Sequence, residues 1–195
     1  MPPRAYLLPD REAIMDWKDI PQRTREGSYG VDCSWSDLVE TLARYKEHYA
    51  LDICPDFQRG HVWTPEQRVA YVECKLSGGV PHQTDIIRFN HPNWQGSFAG
   101  QMVCVDGLQR LTTALMFLRD EVPVFGGHVC SKIGNGKVPW DITFRVMVNN
   151  LKTREAVLRW YVELNAGGTP HSPEEIARVR GLIDTEVRVD DLRPA

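Results

Sequence analysis

The sequence predicts an α+β fold. Short apolar stretches of strand length alternate with stretches whose apolar residues recur at helical spacing. Two predicted strands, at residues 84–90 and 101–105, flank a polar, glycine-containing loop at residues 91–100, which is the pattern of a hairpin. This mixture of hairpins and helices favours an α+β arrangement over a doubly wound parallel sheet.

Length and composition indicate one ordinary globular domain. The chain has 195 residues, of which 42% are hydrophobic and 25% are charged, so a hydrophobic core can form without disulfides. The formal net charge is −3, which excludes a generally basic nucleic-acid coat protein. Any contact with nucleic acid would have to come from a local cluster of basic residues.

Cysteine usage and hydropathy point to an intracellular protein. The five cysteines are an odd number, and no pair has Cys-x-x-Cys spacing, so we expect reduced thiols rather than a zinc site or a disulfide framework. The sequence has no signal-peptide pattern and no apolar run of about 18 residues. We therefore expect a cytoplasmic protein without a membrane partner.

The chain is predicted to have three parts. Residues 1–27 form a polar, proline-containing arm with one short helix near residues 12–18. Residues 28–185 form the folded domain, and residues 186–195 form a charged tail.

The first half of the domain is predicted to contain two short strands and two helices. Ser36 is expected to cap the first helix, which runs to about residue 48. The second helix has a clear start, because Thr64 can cap it, Pro65 suits its first position and Gln67 completes a capping box. The two strands are predicted at residues 29–33 and 51–54, and the second helix is predicted to end at Gly78 and Gly79.

The second half continues with strands and helices in alternation. After the hairpin we predict a helix at residues 108–120, a strand at 122–125, an irregular glycine-rich stretch at 126–139 and a strand at 142–148. We then predict a helix from Thr153 to about residue 164, a turn at 165–170 and a last helix that begins at Ser172, Pro173 and Glu175.

The most informative motif joins the second hairpin strand to the following helix. It places Asp106, Gln109 and Arg110 around a helix N-terminus, where free N–H groups and the helix dipole favour an anion. Asp106 could hold magnesium, Arg110 could fork two phosphate oxygens and Gln109 could orient a water or an acceptor. Gly107 would let the backbone approach closely. Alternatively, Asp106 simply caps the helix at a common Asp-Gly turn.

A second cluster repeats the glutamine-arginine pair before the second predicted helix. Beside Gln58, Arg59 could be another phosphate clamp, or it could be a surface arginine stacked on Trp63. Glu73 could act as a general base or as a metal ligand, and Asp56 is the other candidate for the base. A glutamate placed like Glu73 can equally lie on the solvated face of its helix.

The glycine-rich turn at residues 165–170 also has two interpretations. It could bind a phosphate or a sugar edge, with Asn165 at its start, or it could simply connect two helices. The chain has no Gly-x-x-x-x-Gly-Lys-Ser/Thr motif, so any phosphate site is not a P-loop.

Several motifs follow one another in a fixed order between residues 29 and 183. They are Phe57-Gln58-Arg59 with Val62-Trp63, a helix with Glu73, Asp106-Gly107-Leu108-Gln109-Arg110-Leu111-Thr112-Thr113 after an apolar strand, and Leu164-Asn165 with Gly167-Gly168-Thr169-Pro170 before Glu175. Together they resemble the N-terminal domain of GmrSD-type modification-dependent restriction enzymes, a branch of the ParB/sulfiredoxin-like fold. The resemblance implies a small mixed sheet flanked by helices.

The resemblance also implies a site that binds and hydrolyses nucleotides in support of DNA cleavage. The expected nucleotide-binding residues are Gln58, Arg59, Gly107, Gln109, Arg110, Thr112, Thr113 and Asn165. The expected catalytic residues are Asp56, Glu73, Asp106 and Arg110, and Asp106 is the expected magnesium ligand.

The chain departs from the family at defined positions. Leu108 replaces the first glutamine of the family's Asp-Gly-Gln-Gln-Arg block, His61 replaces a usual tyrosine, and Glu163 replaces a common arginine. The restriction enzymes also carry a C-terminal His-Asn-His-type nuclease domain, for which this chain leaves no room. We therefore expect the nuclease half to be absent or to be supplied by a partner.

The leading functional hypothesis is a stand-alone kinase that uses ATP or another NTP with magnesium. The wider superfamily includes enzymes that transfer the γ-phosphoryl group of ATP to a sulfinate or a hydroxyl, and such transfer needs mainly positioning and charge stabilisation. The expected acceptor is a hydroxyl, for example on a hydroxymethylated base of DNA, which Trp63, Trp94 or the 91–100 loop would stack. The alternatives are an NTP hydrolase or ParB-like nuclease of a restriction or anti-restriction system, and a nucleotide-gated DNA-binding module.

Overall fold

The computed structural model describes residues 28–80, 85–166 and 173–190. The predicted arm at residues 1–27, most of the turn at 165–170, Ser172 and the last five residues of the predicted tail lie outside the described residues. No helix in the described ranges is both long enough and apolar enough to cross a lipid bilayer.

The described residues form four strands and five α-helices, so the predicted α+β class is confirmed. The strands are β1 (Ser28–Ser34), β2 (Ile86–Asn90), β3 (Val103–Asp106) and β4 (Thr143–Asn149). The helices are α1 (Leu38–Tyr49), α2 (Pro65–Leu76), α3 (Leu108–Leu118), α4 (Arg154–Ala166) and α5 (Pro173–Asp190). Three short 3-10 helices lie at Trp35–Asp37, Cys130–Lys132 and Gly134–Gly136.

The four strands form one mixed sheet in the order β1-β4-β2-β3. The predicted hairpin is present, because β2 and β3 pair antiparallel. Strand β4 inserts between β1 and β2; it runs antiparallel to β1 and parallel to β2. The sheet is therefore small, mixed and flanked by helices.

Two hydrophobic clusters pack against the sheet. The larger contains buried residues of all four strands and of α1, α2 and α3, including Phe89 and Phe144, together with Trp35 of the first 3-10 helix. The smaller joins α4 and α5 to β3 through residues such as Val105 and Leu158. Strand β3 contributes to both clusters because successive side chains of a strand point to opposite faces. Helices α4 and α5 pack against β3 through this cluster. These last two helices therefore lie close to the turn that follows β3.

Two predicted strands are reduced to single bridges. Residues 51–54 pair only through Asp52 with Val103, since the Asp52 carboxylate accepts the Cys54 N–H at 2.9 Å and turns the chain locally. Residues 122–125 pair only through Val124 with His128. The extended conformation stops there because the next three residues, 125–127, all have positive φ.

Two helix ends also differ from the prediction. The first helical segment begins as the 3-10 turn, and Ser34 caps it, because its Oγ accepts the Ser36 N–H at 3.2 Å. The predicted cap, Ser36, instead lies inside this turn, and α1 begins at Leu38. At the other end of the domain, α5 continues to Asp190, past residue 186 where the tail was predicted to start.

All five cysteines are free thiols, which confirms that the chain has no disulfide framework. Burial raises the pKa of the Cys33 and Cys104 thiols. These two side chains therefore behave as small core residues rather than reactive thiolates.

His91 is a buried histidine directly after β2. Its ring packs against Tyr49 and Phe98, with ring centroids 5.7 and 5.9 Å away, and its Nδ1 accepts the Asn93 N–H at 3.2 Å. Its Nε2 is buried and has no hydrogen-bond partner among the residues that the structure describes. Burial lowers the pKa of His91 below its ordinary value of 6.5.

This lowered pKa predicts a loss of stability in acid. As the pH falls below 6.5, the unfolded chain binds a proton at His91 before the folded chain does, so the free energy of unfolding decreases. One such proton accounts for at most about 1.4 kcal/mol per pH unit. Urea unfolding between pH 7.5 and pH 5 should show a shallower pH dependence for His91→Gln than for the wild type. The exposed His128→Gln variant is the control, and equal slopes for His91→Gln and the wild type would contradict the assignment.

Candidate anion-binding site

A pocket of about 310 Å³ lies where β3 meets α3. Its walls come from four segments that are distant in sequence: the loop before α2, the end of β3, the first turn of α3 and the end of α4. Seven predicted site residues line it, namely Gln58, Arg59, Asp106, Gly107, Gln109, Arg110 and Asn165. Trp63, Val105, Leu108, Tyr161 and Leu164 complete the lining.

The N-terminus of α3 opens into this pocket. Gly107 is the N-cap residue, and the first intrahelical hydrogen bond runs from the Leu111 N–H to the Gly107 carbonyl at 2.9 Å. The N–H groups of the first turn have no intrahelical acceptor, and no side-chain capping hydrogen bond forms among the described residues. Asp106 is therefore not the cap, and the alternative that it only caps α3 is wrong.

Both the backbone conformation and the close packing of Ile87 require glycine at position 107. Its φ is +102°, in the left-handed region that side-chain-bearing residues rarely adopt. A Cβ atom added there would lie 2.5 Å from Ile87 Cδ1 and 3.3 Å from Ile87 Cα. The turn that aims α3 at the pocket thus depends on glycine at this position.

Two arginines hold the Asp106 carboxylate. Its Oδ2 accepts from Arg88 Nη1 at 2.9 Å and from Arg110 Nη2 at 3.1 Å. A register shift in the β2–β3 pairing places Arg88 directly opposite Asp106. Sequence reasoning missed Arg88, although its place in a hairpin strand facing the motif was an available signal.

Arg110 also contacts a carboxylate from the protein interior. Its Nη1 donates to Asp85 Oδ1 at 3.3 Å, and the Asp85 side chain is fully buried. Lys75 pairs with the other oxygen of Asp85 at 2.9 Å. Sequence reasoning missed both Asp85 and Lys75, because nothing in their local sequence distinguishes them from surface charges.

The two glutamines of the site bind main-chain groups. Gln58 Nε2 donates to the carbonyls of Cys104 and Val105 at 3.0 and 3.1 Å. Gln109 Oε1 accepts the N–H groups of residues 62 and 63 at 3.1 and 3.3 Å, and its Nε2 donates to Gly60 O at 2.9 Å. Both amides thus tie the 58–63 loop to β3 and α3. Their predicted contact with a nucleotide stays a prediction.

Arg59 brings a further positive charge to the pocket. Its guanidinium forms no hydrogen bond or ion pair with the described residues, and no cation–π contact joins it to Trp63 in that part of the chain. The Trp63 ring instead packs against Tyr71, with centroids 5.2 Å apart. Arg59 is therefore placed to meet a ligand, and the alternative in which it stacks on Trp63 is not observed.

The α4–α5 hairpin fixes the loop that carries Arg59. Arg178 donates to the carbonyls of Asp56 and Phe57 at 3.0 and 2.7 Å. Arg154 binds both carboxylate oxygens of Asp56, at 2.9 and 2.7 Å. Asn165, at the end of α4, donates to Tyr161 O at 2.7 Å and lines the pocket.

Four predicted site residues are not brought to the pocket. The Asp56 carboxylate is held by Arg154, and Glu73 accepts the Phe125 N–H at 2.6 Å in a different loop, so neither is placed as a general base. Thr112 and Thr113 lie on the second turn of α3, where the helix has already rotated away. Thr113 is also buried, and it is not part of the pocket lining.

Tyr161 forms part of the pocket wall as a neutral phenol. Burial raises its pKa, while the Arg59 backbone and the positive charges of Arg59 and Arg178 lower it in part. The net effect is an increase, so the hydroxyl keeps its proton at neutral pH.

A magnesium ion fits this site only together with a ligand. The described residues contain no group of three His, Cys, Asp or Glu side chains that could hold a metal. Among the described residues, Asp106 is the one carboxylate that lines the pocket, and its Oδ2 already accepts from two arginines. Magnesium is commonly bound by one or two carboxylates plus substrate phosphates, so Asp106 Oδ1 suits an ion that arrives on a nucleotide.

Comparison with protein-family models, with curated proteins and with solved structures finds no match for this chain. The resemblance to the restriction-enzyme domain therefore stays a sequence-based prediction. The geometry of the pocket is what bears on function.

We predict that Gly107→Ala destabilises the protein by about 2 kcal/mol or more, because it combines a positive φ with a Cβ clash. Urea unfolding measures the effect. Gly60→Ala is the matched control, since a Cβ there has no neighbour within 4 Å and should leave stability nearly unchanged. Equal stability of the two variants would show that the turn tolerates a side chain.

We predict that Gln109→Ala loosens the 60–63 loop without unfolding the domain. The variant removes the acceptor of two backbone N–H groups, those of Val62 and Trp63. Hydrogen exchange at these amides should accelerate by about fivefold, as expected for a lost hydrogen bond worth roughly 1 kcal/mol. The exposed Gln101→Ala variant should leave both rates unchanged, and unchanged rates in Gln109→Ala would refute the clamp.

Proposed function

We propose that this pocket binds the phosphate groups of a nucleotide and that the chain is a phosphoryl-transfer enzyme. The observation that carries the proposal is the Arg59 guanidinium, which no described residue pairs, beside the N-terminus of α3 and with Arg110 in the same pocket lining. Backbone N–H groups at a helix start and forked guanidinium donors are a common combination for phosphate. The order of the motifs and the small mixed sheet support a ParB/sulfiredoxin-like domain for the same chain.

The charges around the pocket favour a polyanion. Arg88 and Arg110 share the single Asp106 carboxylate, and Arg59 adds a positive charge that is not paired by a described residue. The resulting excess of positive charge would attract and hold a triphosphate. Phosphoryl transfer then depends mainly on positioning and on stabilising the equatorial oxygens, which these groups can supply.

Asp106 is the proposed ligand of a magnesium ion. Held by Arg88 and Arg110 through Oδ2, it keeps Oδ1 available to the pocket. Asp106 would hold a magnesium ion that enters with the nucleotide, and that ion would neutralise charge between the transferred and leaving phosphates. Leu108, 3% exposed, offers no hydrogen bond where the restriction enzymes have glutamine, so the protein donors are the arginines and the helix N–H groups.

The proposed acceptor is a hydroxyl, such as that of a hydroxymethylated base in DNA. Trp63 lines the pocket and is the candidate for stacking such a base. Trp94 is less suited, because it packs edge-on with Tyr29 at 4.8 Å, away from the pocket lining. The net charge of −3 fits a substrate held at a local site rather than along a basic surface.

Hydrolysis of the nucleotide is the second candidate function. The Asp106 and Arg110 side chains are 29% and 22% exposed, so water can reach the phosphate position. Neither Glu73 nor Asp56 lines the pocket, so the proton of either acceptor, a hydroxyl or water, would leave on the transferred phosphoryl group while the nucleoside diphosphate departs. The exposure of the site favours water as a competing acceptor.

The direct test uses γ-labelled ATP and magnesium with DNA that contains hydroxymethyluracil or with plain DNA. We expect label on the modified DNA. Because each group stabilises the transferred phosphate, Arg59→Met and Asp106→Asn should each lower the transfer rate by about 10²-fold or more. Arg145→Met removes the same charge from an exposed pair with Asp32 and should transfer label at the wild-type rate.

Other outcomes of this experiment discriminate the alternatives. Free phosphate without labelled DNA would replace the kinase with an NTP hydrolase. ATP-dependent DNA binding without turnover would indicate a nucleotide-gated binding module. Absence of both ATP binding and turnover would overturn the proposed function.

A further inference from the structure

A buried ion pair lies directly behind the pocket. Lys75 Nζ is 2.9 Å from Asp85 Oδ2, and the two side chains are 2% and 0% exposed. The hydroxyl of Tyr71 donates to the same oxygen at 2.8 Å, and Lys75 also donates to Thr143 O at 2.7 Å. The two charges are therefore fully desolvated, and the structure surrounds them with hydrogen-bonding partners.

The two oxygens of Asp85 have different partners. Oδ2 binds the interior groups Lys75 and Tyr71, whereas Oδ1 accepts from Arg110 Nη1 at 3.3 Å. On its other side, Arg110 Nη2 reaches Asp106 at 3.1 Å. A continuous chain of charged groups thus connects the hydrophobic core to the pocket, and Arg110 is the link that lines the pocket.

Stability alone does not explain why these charges are buried. Removing a carboxylate and an ammonium from water is costly, and apolar residues of similar volume often replace a buried pair without loss. The neighbouring core positions Val72 and Ile87 are apolar and fully buried, so an apolar pair would suit this region. The contact between Asp85 and Arg110 connects this ion pair to the pocket.

Asp85 restricts how Arg110 can use its donors. A guanidinium has five N–H donors, and the contacts with Asp85 and Asp106 engage one nitrogen each, which leaves donors free for a ligand. Without Asp85, Arg110 could turn fully onto Asp106 and bind both carboxylate oxygens. Fewer donors would then face the pocket.

We propose that Asp85, held in place by Lys75 and Tyr71, is a positioning residue that orients Arg110 toward a phosphate group in the pocket. The identity of the ligand rests on the proposed function. The orientation of Arg110 does not, because it follows from contacts within the protein.

The test uses the full chain, with pyrophosphate and ATP as probes. The variants are Asp85→Asn, the double variant Lys75→Met with Asp85→Asn, and Tyr71→Phe. Asp32→Asn is the control, since it breaks the exposed ion pair with Arg145. Calorimetry measures affinity, and NMR follows the Arg110 Nε–H signal, which Arg110→Lys identifies.

In the first two variants we expect the Arg110 Nε–H signal to shift or broaden and the affinity for pyrophosphate to fall by about tenfold, as expected when one charge-assisted contact is misaligned. Tyr71→Phe keeps both charges and should give a smaller change in the same direction. Asp32→Asn should match the wild type. If Asp85→Asn fails to fold, the double variant decides, because it leaves no unpaired charge in the core.

The two proposals fail in different ways. A folded double variant or Tyr71→Phe variant with wild-type Arg110 signal and wild-type affinity for pyrophosphate would overturn the positioning role, whatever the activity. Pyrophosphate binding that depends on Asp85, together with no ATP binding or turnover, would overturn the proposed function and keep the positioning role. A wild-type chain that binds neither probe would overturn both.

Discussion

The turn at Gly107 is the constraint on which the rest of the site depends. With φ at +102° and Ile87 packed where a side chain would begin, this residue lets β3 pass into α3 without an intervening loop. The last residue of β3, Asp106, is thereby kept beside the first turn of α3, and the residues of that turn line the pocket. A looser connection would separate the carboxylate from the helix end.

Charge compensation explains how so many arginines coexist in one small region. Arg88 and Arg110 share Asp106, and Arg110 is also anchored by the buried Asp85. Arg154 and Arg178 are occupied with Asp56 and the neighbouring backbone. Arg59 also lines the pocket, and its guanidinium has no ion-pair partner among the described residues. This arrangement is expected where a ligand supplies the negative charge.

Local signals predicted the helices well and the short strands poorly. The capping box at Thr64 could be predicted because both of its hydrogen bonds join residues that are three positions apart in the sequence. Both hydrogen bonds are present in the structure. Strand formation at residues 51–54 and 122–125 depends on partners elsewhere, and both stretches pair through one bridge only. The order β1-β4-β2-β3 could not be derived, because β4 enters the sheet from more than 35 residues beyond β3.

For this protein the sequence by itself determined the α+β class, the hairpin and the Asp106–Arg110 motif at a helix start, since each depends on neighbours along the chain. Tertiary structure decided which charges act together. Asp56 and Glu73, which were predicted site residues, lie outside the pocket lining. The ion pairs around Arg110 instead include Arg88, Lys75 and Asp85, which the sequence did not indicate. The physical reason is that an ion pair forms between groups a few ångströms apart, and only strand pairing and helix packing set those distances.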